Sequence, residues 1–186
     1  MTADDFVSVK TRHYFNLLDA DGDGVLTEAD HVLMGQRAAK ELSYAPGSAQ
    51  EQKLVDCYRS TWQTVQLPHA DAQGQVHLDA FLAAIQGLFA QPEVFRQVCG
   101  TLIDTVMSVA DANGDGEIDP AEYASFILAQ SPKMSRMEVE ESFSRLDRDG
   151  NGVISKSELE EATVEYFTSN DPELAGNWLY GRPPAL

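Results

Sequence analysis

The chain has 186 residues with 13 Lys+Arg against 30 Asp+Glu, a formal net charge of −17, which excludes ordinary attraction to nucleic acid or an anionic membrane because like charges repel on approach. Hydrophobic residues make up 43% of it, with 8 Phe, 6 Tyr and 2 Trp, too apolar for an acidic disordered tail and enough for a packed core. Met1 to Phe6 lacks the basic and apolar regions of a secretory leader, residue 2 is Thr rather than the Gly of N-myristoylation, and no apolar run nears a bilayer span, so a soluble cytoplasmic chain is expected.

Phe6, Val9, His13 and Leu17 recur at helical spacing and predict a first helix, with Val7, Lys10 and Arg12 as its solvated face. A twelve-residue segment follows, Asp19 to Asp30, with oxygen-bearing side chains at places 1, 3 and 5, Gly24 at 6, an aliphatic at 8 and a carboxylate at 12. Thr27 and Asp30 form a helix-start signal, and the breakers from Ser43 to Ser48 end that unit. Next, Leu54, Tyr58, Trp62 and Val65 make a helical stripe, expected in the core. A fainter copy of the loop runs from His69 to Ala80 and keeps only Gly74 and Val76 in frame, with Asp71 at place 3.

Gln91-Pro92 marks the middle of the chain, and Val94, Val98, Leu102, Thr105 and Val109 predict the helix before a third loop, Asp111 to Glu122. Asp119-Pro120-Ala121-Glu122 starts the helix after it, and Ser131-Pro132-Lys133 breaks the chain again. The fourth loop, Asp147 to Glu158, is followed by the start signal Ser155 to Glu158. The repeat predicts an all-α fold: helix-loop-helix four times, as a pair in 1–90, a pair in 91–168, and a tail over 169–186.

Hard oxygen donors with no Cys or His beside them point to a hard cation, and the Gly at place 6 permits the sharp turn around it. The expected ion is Ca2+, with Mg2+ its competitor. Loop 3 offers Asp111, Asn113, Asp115, the Glu117 carbonyl and Glu122; loop 4 offers Asp147, Asp149, Asn151, the Val153 carbonyl and Glu158. Loop 1 offers Asp19, Asp21, Asp23 and the Val25 carbonyl but closes with Asp30, one methylene shorter than Glu. It should therefore discriminate least against Mg2+. Loop 2, with His69 at place 1 and Ala80 at place 12, should bind no divalent ion and serve to pack against loop 1. Place-8 residues should meet within each pair, Leu26 with Val76 and Ile118 with Ile154.

By these loops the chain resembles the EF-hand proteins, and more narrowly the sarcoplasmic calcium-binding protein and calerythrin group. That resemblance covers nearly the whole length: four hands, the second degenerate, Asp closing the first loop, and an extension after the last helix. It implies that the two pairs pack into one compact globule, closed by a tail whose Trp178 and Tyr180 point inward. Coelenterazine photoproteins and luciferin-binding proteins share this architecture, but place a His in the last helix. Here only His13, His31, His69 and His77 occur, so light emission is not expected.

The four histidines lack a partner at metal spacing and are expected in core or surface roles. Cys57 and Cys99 are expected as reduced core thiols. No catalytic constellation is present, so an enzyme is not expected. Of the 5 methionines only Met134 and Met137 are close in sequence, which argues for a monomeric calcium buffer over a sensor that opens a Met-rich groove to a protein partner.

Overall fold

In a computed structural model of the chain, residues 6–89, 99–100, 103–104 and 106–184 are described, except the side chains of 88 and 89. The Gln91-Pro92 break, the 90/91 boundary and four of the five stripe residues before loop 3 lie outside them; the fifth, Val109, is buried. The order is α1 (Phe6–Leu18), β1 (Val25–Leu26), α2 (Glu28–Glu41), α3 (Ala49–Thr61), β2 (Val76–His77) and α4 (Leu78–Phe89), then β3 (Glu117–Ile118), α5 (Pro120–Gln130), α6 (Arg136–Leu146), β4 (Ile154–Ser155) and α7 (Lys156–Thr168). Residues 106–110 are helical and lead into loop 3. Among the described residues the structure is all-α apart from two short antiparallel ribbons, and no helix is long and apolar enough to cross a membrane.

The ribbons join the loops in pairs. Leu26 lies opposite Val76, and Ile118 opposite Ile154. These four side chains are at most 2% exposed, so each ribbon is bolted into the core at place 8. The loop that lost its ligands therefore keeps its turn.

Helix starts follow the residues that satisfy the first amides. Thr27 with Asp30, Asp119 with Glu122, and Ser155 with Glu158 form reciprocal capping boxes. Ser135 with Glu138 makes a fourth box at the start of α6, a signal present in the sequence that the loop repeat overshadowed. The stripe after α3 departs from an ordinary helix: Trp62–Gln66 is a π-helical turn, which leaves Trp62 buried and Val65 half-buried.

Helices α2 and α3 pack so closely that a Cβ added to Gly35 would meet the Val55 Cα at 2.7 Å. Gly35→Ala should therefore destabilise the protein by about 2 kcal/mol through overpacking against backbone; an unchanged urea midpoint would refute this contact. Across the pairs, α2 meets α5, where the Ser125 hydroxyl donates to the Ala38 carbonyl, and α1 meets α7, where the Tyr166 hydroxyl donates to the Lys10 carbonyl at 2.8 Å. One hydrophobic core runs through both halves.

The buried face of α1 differs from expectation. Phe6, Lys10, Thr11, Tyr14, Phe15 and Leu18 are buried, whereas Val9, His13 and Leu17 are only partly so. Lys10 is fully enclosed rather than solvated. Its ammonium donates to the Ser169 carbonyl at 2.9 Å, the Glu165 carbonyl at 3.3 Å and Asn177 Oδ1 at 2.7 Å, and lies over the rings of Phe6 and Tyr166. A cation at the C-terminal carbonyls of α7 is favourably placed with respect to the helix dipole.

The tail completes this junction. Asn170 Oδ1 accepts from the Val7 amide, and Asn177 sends its own amide to the Asp171 carbonyl. Tyr180 stacks on Tyr14 with ring centroids 4.3 Å apart and meets Tyr166 edge-on. Trp178 is only half-buried, with the Arg145 guanidinium over its ring. Cys99 is buried and Cys57 half-buried, both as free thiols; burial pushes the Cys99 thiol up to about 11, as befits an inert group.

Candidate metal centres

Three of the four loops share one backbone geometry. The glycines at places 4 and 6 all have positive φ, from +71° to +91° (Gly22 and Gly24, Gly114 and Gly116, Gly150 and Gly152). A side chain would be strained there, so the place-4 glycine is as much a part of the repeat as the place-6 one. Loop 2 keeps only Gly74, at place 6.

The carboxylates organise the turns. Asp19 Oδ1 accepts from the Gly22 and Asp23 amides and Oδ2 from Gly24; Asp111 Oδ1 accepts from Gly114 and Asp115 and Oδ2 from Gly116. In loop 4, Asp147 Oδ1 accepts from Asn151 and Oδ2 from Gly152. Asp21, Asn113 and Asp149, at place 3, each accept from the place-5 amide, and Asp23, Asp115 and Asn151, at place 5, accept from the place-7 amide. Val25, Glu117 and Val153, whose carbonyls are the place-7 candidates, lie at or beside the ribbon.

The place-12 carboxylates are buried at the foot of each loop: Asp30 is 1% exposed, Glu122 5% and Glu158 9%. One oxygen of each ties down the start of the loop. Asp30 Oδ1 accepts from Ala20, Glu122 Oε1 from Ala112, and Glu158 Oε1 from Arg148, all at 2.8–2.9 Å. The other oxygen accepts from the place-9 amide. Burial works to raise the Glu158 carboxyl, and the hydrogen bonds from Ser155 and the Arg148 amide outweigh it, so its pKa falls below the ordinary value. The group is poised as an anion.

The structure brings the oxygens of Asp19, Asp21 and Asp23 within 4.8 Å of one another, and does the same for Asp147, Asp149 and Glu158. Asp30 stands outside the loop 1 cluster, whereas Glu158 joins that of loop 4. Asp30 makes the same loop-anchoring hydrogen bonds as Glu122 and Glu158 with a side chain one methylene shorter. Loop 3 carries Asn113 at place 3, and its acids Asp111, Asp115 and Glu122 form no such cluster among the described residues. Oxygen-only donors on a wrapped backbone fit a hard, high-coordination cation such as calcium.

In loop 2 a side-chain pair forms at places 3 and 9. Asp71 accepts from the Gln73 and Gln75 amides, and His77 Nε2 lies 3.3 Å from Asp71 Oδ2. These hydrogen bonds, chiefly the one from Gln75, lower the Asp71 pKa. His69 ends a short 3-10 turn, Leu67–His69, and is exposed. His13 is half-buried and His31 fully buried; neither joins a cluster of metal-binding side chains among the described residues.

Comparison with known proteins agrees with this geometry. The EF-hand domain pair family matches residues 102–164, and the EF hand family matches residues 11–29. Calerythrin of Saccharopolyspora erythraea is 29% identical over 173 residues, covering 91% of this chain and 97% of its own. The sarcoplasmic calcium-binding protein of Scylla paramamosain is 25% identical, covering 89% of each. Among solved structures, the calcium-loaded apo form of the coelenterazine-binding protein of Renilla muelleri superposes with a TM-score of 0.75 at 17% identity, over 95% of both chains. That last likeness is one of fold. With EF-hand families matched over residues 11–29 and 102–164, and these relatives over nearly the whole length, the chain resembles the EF-hand proteins and, among them, calerythrin and the sarcoplasmic calcium-binding proteins.

Proposed function

We propose that the protein binds Ca2+ at loops 1, 3 and 4 and acts as a calcium buffer in the cytoplasm, as a monomer and without enzymatic activity. The observation that carries this reading is the shared loop geometry: oxygen side chains at places 1, 3 and 5 that accept from the loop amides, paired glycines at positive φ, and a buried place-12 carboxylate. The hand pairs are 1–90 and 91–168, with 169–186 closing them. Loop 2, whose Asp71 is already engaged by His77, takes no ion.

Buffering is favoured over sensing because the described methionines are dispersed: Met34 is fully buried in the core, Met107 and Met134 pack partly buried against it, and Met137 stands 75% exposed on the surface. Buffer hands barely open on binding, whereas sensor hands expose Met-rich apolar surface. The absence of any His beyond His77 speaks against a luciferin-handling role of the photoprotein kind. The deciding experiment is a calcium titration of metal-stripped protein in millimolar magnesium, followed by Trp fluorescence and an apolar dye. A dye signal that falls or stays flat as three equivalents bind supports a buffer; a rising signal replaces this reading with a sensor.

Loop 1 is the site we assign to Mg2+ competition. Asp30→Glu should raise its calcium affinity roughly tenfold, about 1.4 kcal/mol, by supplying a second oxygen to the ion. Site-resolved NMR titration with and without magnesium checks this; equal magnesium sensitivity before and after the change would refute the role of the missing methylene.

A further inference from the structure

Where the two hand pairs and the tail meet, the interior holds a cavity of about 30 Å³. Its walls include Met34 and Val109, and its polar side chains include His31, Tyr58, Thr61 and Gln130. His31 is fully buried and Tyr58 is 5% exposed, yet His31 Nε2 and the Tyr58 hydroxyl have no hydrogen-bond partner among the described residues. Thr61 gives its proton to the Cys57 carbonyl, which leaves its oxygen with a lone pair to spare. A buried polar atom without a partner forfeits the hydrogen bond that it makes in water, and two of them on one cavity call for a shared explanation.

The chemistry of the two atoms is complementary. His31 Nδ1 lies 3.2 Å from the Thr27 carbonyl, an acceptor, so in the neutral ring the proton sits on Nδ1 and Nε2 is a bare acceptor. The Tyr58 hydroxyl carries a proton that none of the described residues receives. A molecule that both donates and accepts satisfies the two together. We propose that this cavity is a hydration site, in which one or two buried water molecules donate to His31 Nε2 and accept from the Tyr58 hydroxyl. The size agrees, since a water needs at least roughly 10–15 Å³ and two or more polar partners. Through this water α2, which carries Asp30 at its start, is joined to α3 of the ion-free hand.

The test is water-selective NMR on the isotope-labelled, calcium-loaded protein, with xenon as an apolar competitor. Cross-peaks from water to the His31 imidazole and Tyr58 ring protons are expected, with the Met34 and Val109 methyl shifts unmoved by xenon. In Tyr58→Phe one anchor is gone, so the water cross-peaks at His31 should weaken and xenon should enter. Xenon entering the unaltered protein in the absence of those cross-peaks would show a dry cavity and overturn the proposal. A stoichiometric organic molecule released on denaturing the purified protein would overturn it in favour of a larger guest. The measurements on the unaltered protein decide the matter even if Tyr58→Phe fails to fold.

Discussion

Glu158→Gln should weaken the fourth loop for calcium by about a hundredfold, or about 2.7 kcal/mol, and Glu122→Gln should do the same for the third. Glutamine keeps the length of the side chain and one acceptor oxygen, so the capping contact to Ser155 or Asp119 can persist while the second charged oxygen is lost. Stability should follow the ion. A ligand held a hundredfold above its dissociation constant adds about 2.7 kcal/mol to the folded state, so either variant should melt well below the parent in calcium and close to it in chelator. Calorimetric titration would show three strong equivalents falling to two. Retention of three equivalents at unchanged affinity in Glu158→Gln would refute the assignment of that carboxylate. The same arithmetic predicts that metal removal is the largest single perturbation, because packed like charges, such as Asp19, Asp21 and Asp23, are then left without a counter-ion.

Lys10→Met should destabilise the protein by about 3 kcal/mol whether or not calcium is present. Methionine fills much of the same space, but Asn177 Oδ1 and two carbonyls at the end of α7 lose their donor, and orphaned buried acceptors carry most of the cost. The pH dependence is a second signature. Burial lowers the Lys10 ammonium from 10.5 to about 8, against the opposing pull of Glu165. Between those values the folded protein has released a proton that the unfolded chain retains, so this group adds stability as pH rises from about 8 to 10.5, and that increment is lost as pH falls through 8. Chemical denaturation across this range should show an alkaline rise in the parent that is missing in Lys10→Met. A variant as stable as the parent, with the same pH profile, would show that the lysine is a bystander.

The turns, caps and ribbons of the loops were legible because every element of them is local. Oxygen side chains, turn glycines and helix caps all fall within twelve residues, and the place-8 pairing follows once two loops are known to meet. What was hidden depends on contacts across the length of the chain. On α1 the helical spacing of Phe6, Val9, His13 and Leu17 put Lys10 on the solvated face, whereas the structure buries Phe6 together with Tyr14, Leu18 and Lys10. Its partners lie 155 to 167 positions away, and no periodicity reports them. The π turn at Trp62–Gln66 was likewise invisible, since nothing in Trp-Gln-Thr-Val-Gln forbids an ordinary α-helix. The half-exposed Trp178 shows the converse error, an aromatic residue assumed to point inward that instead meets Arg145 near the surface.

The enclosure of Lys10 also sets an order of events during biosynthesis. The residue leaves the ribosome 155 to 167 positions ahead of its three acceptors, which are contributed by residues 165, 169 and 177. Until these emerge the nascent chain must carry Lys10 in water and leave the aromatic faces of Tyr14 and Phe15 without their final neighbours. Loop 1 is therefore translated long before the helix that feeds it can settle, and a protease that trims the tail of the finished protein would return its opening helix to that unfinished condition.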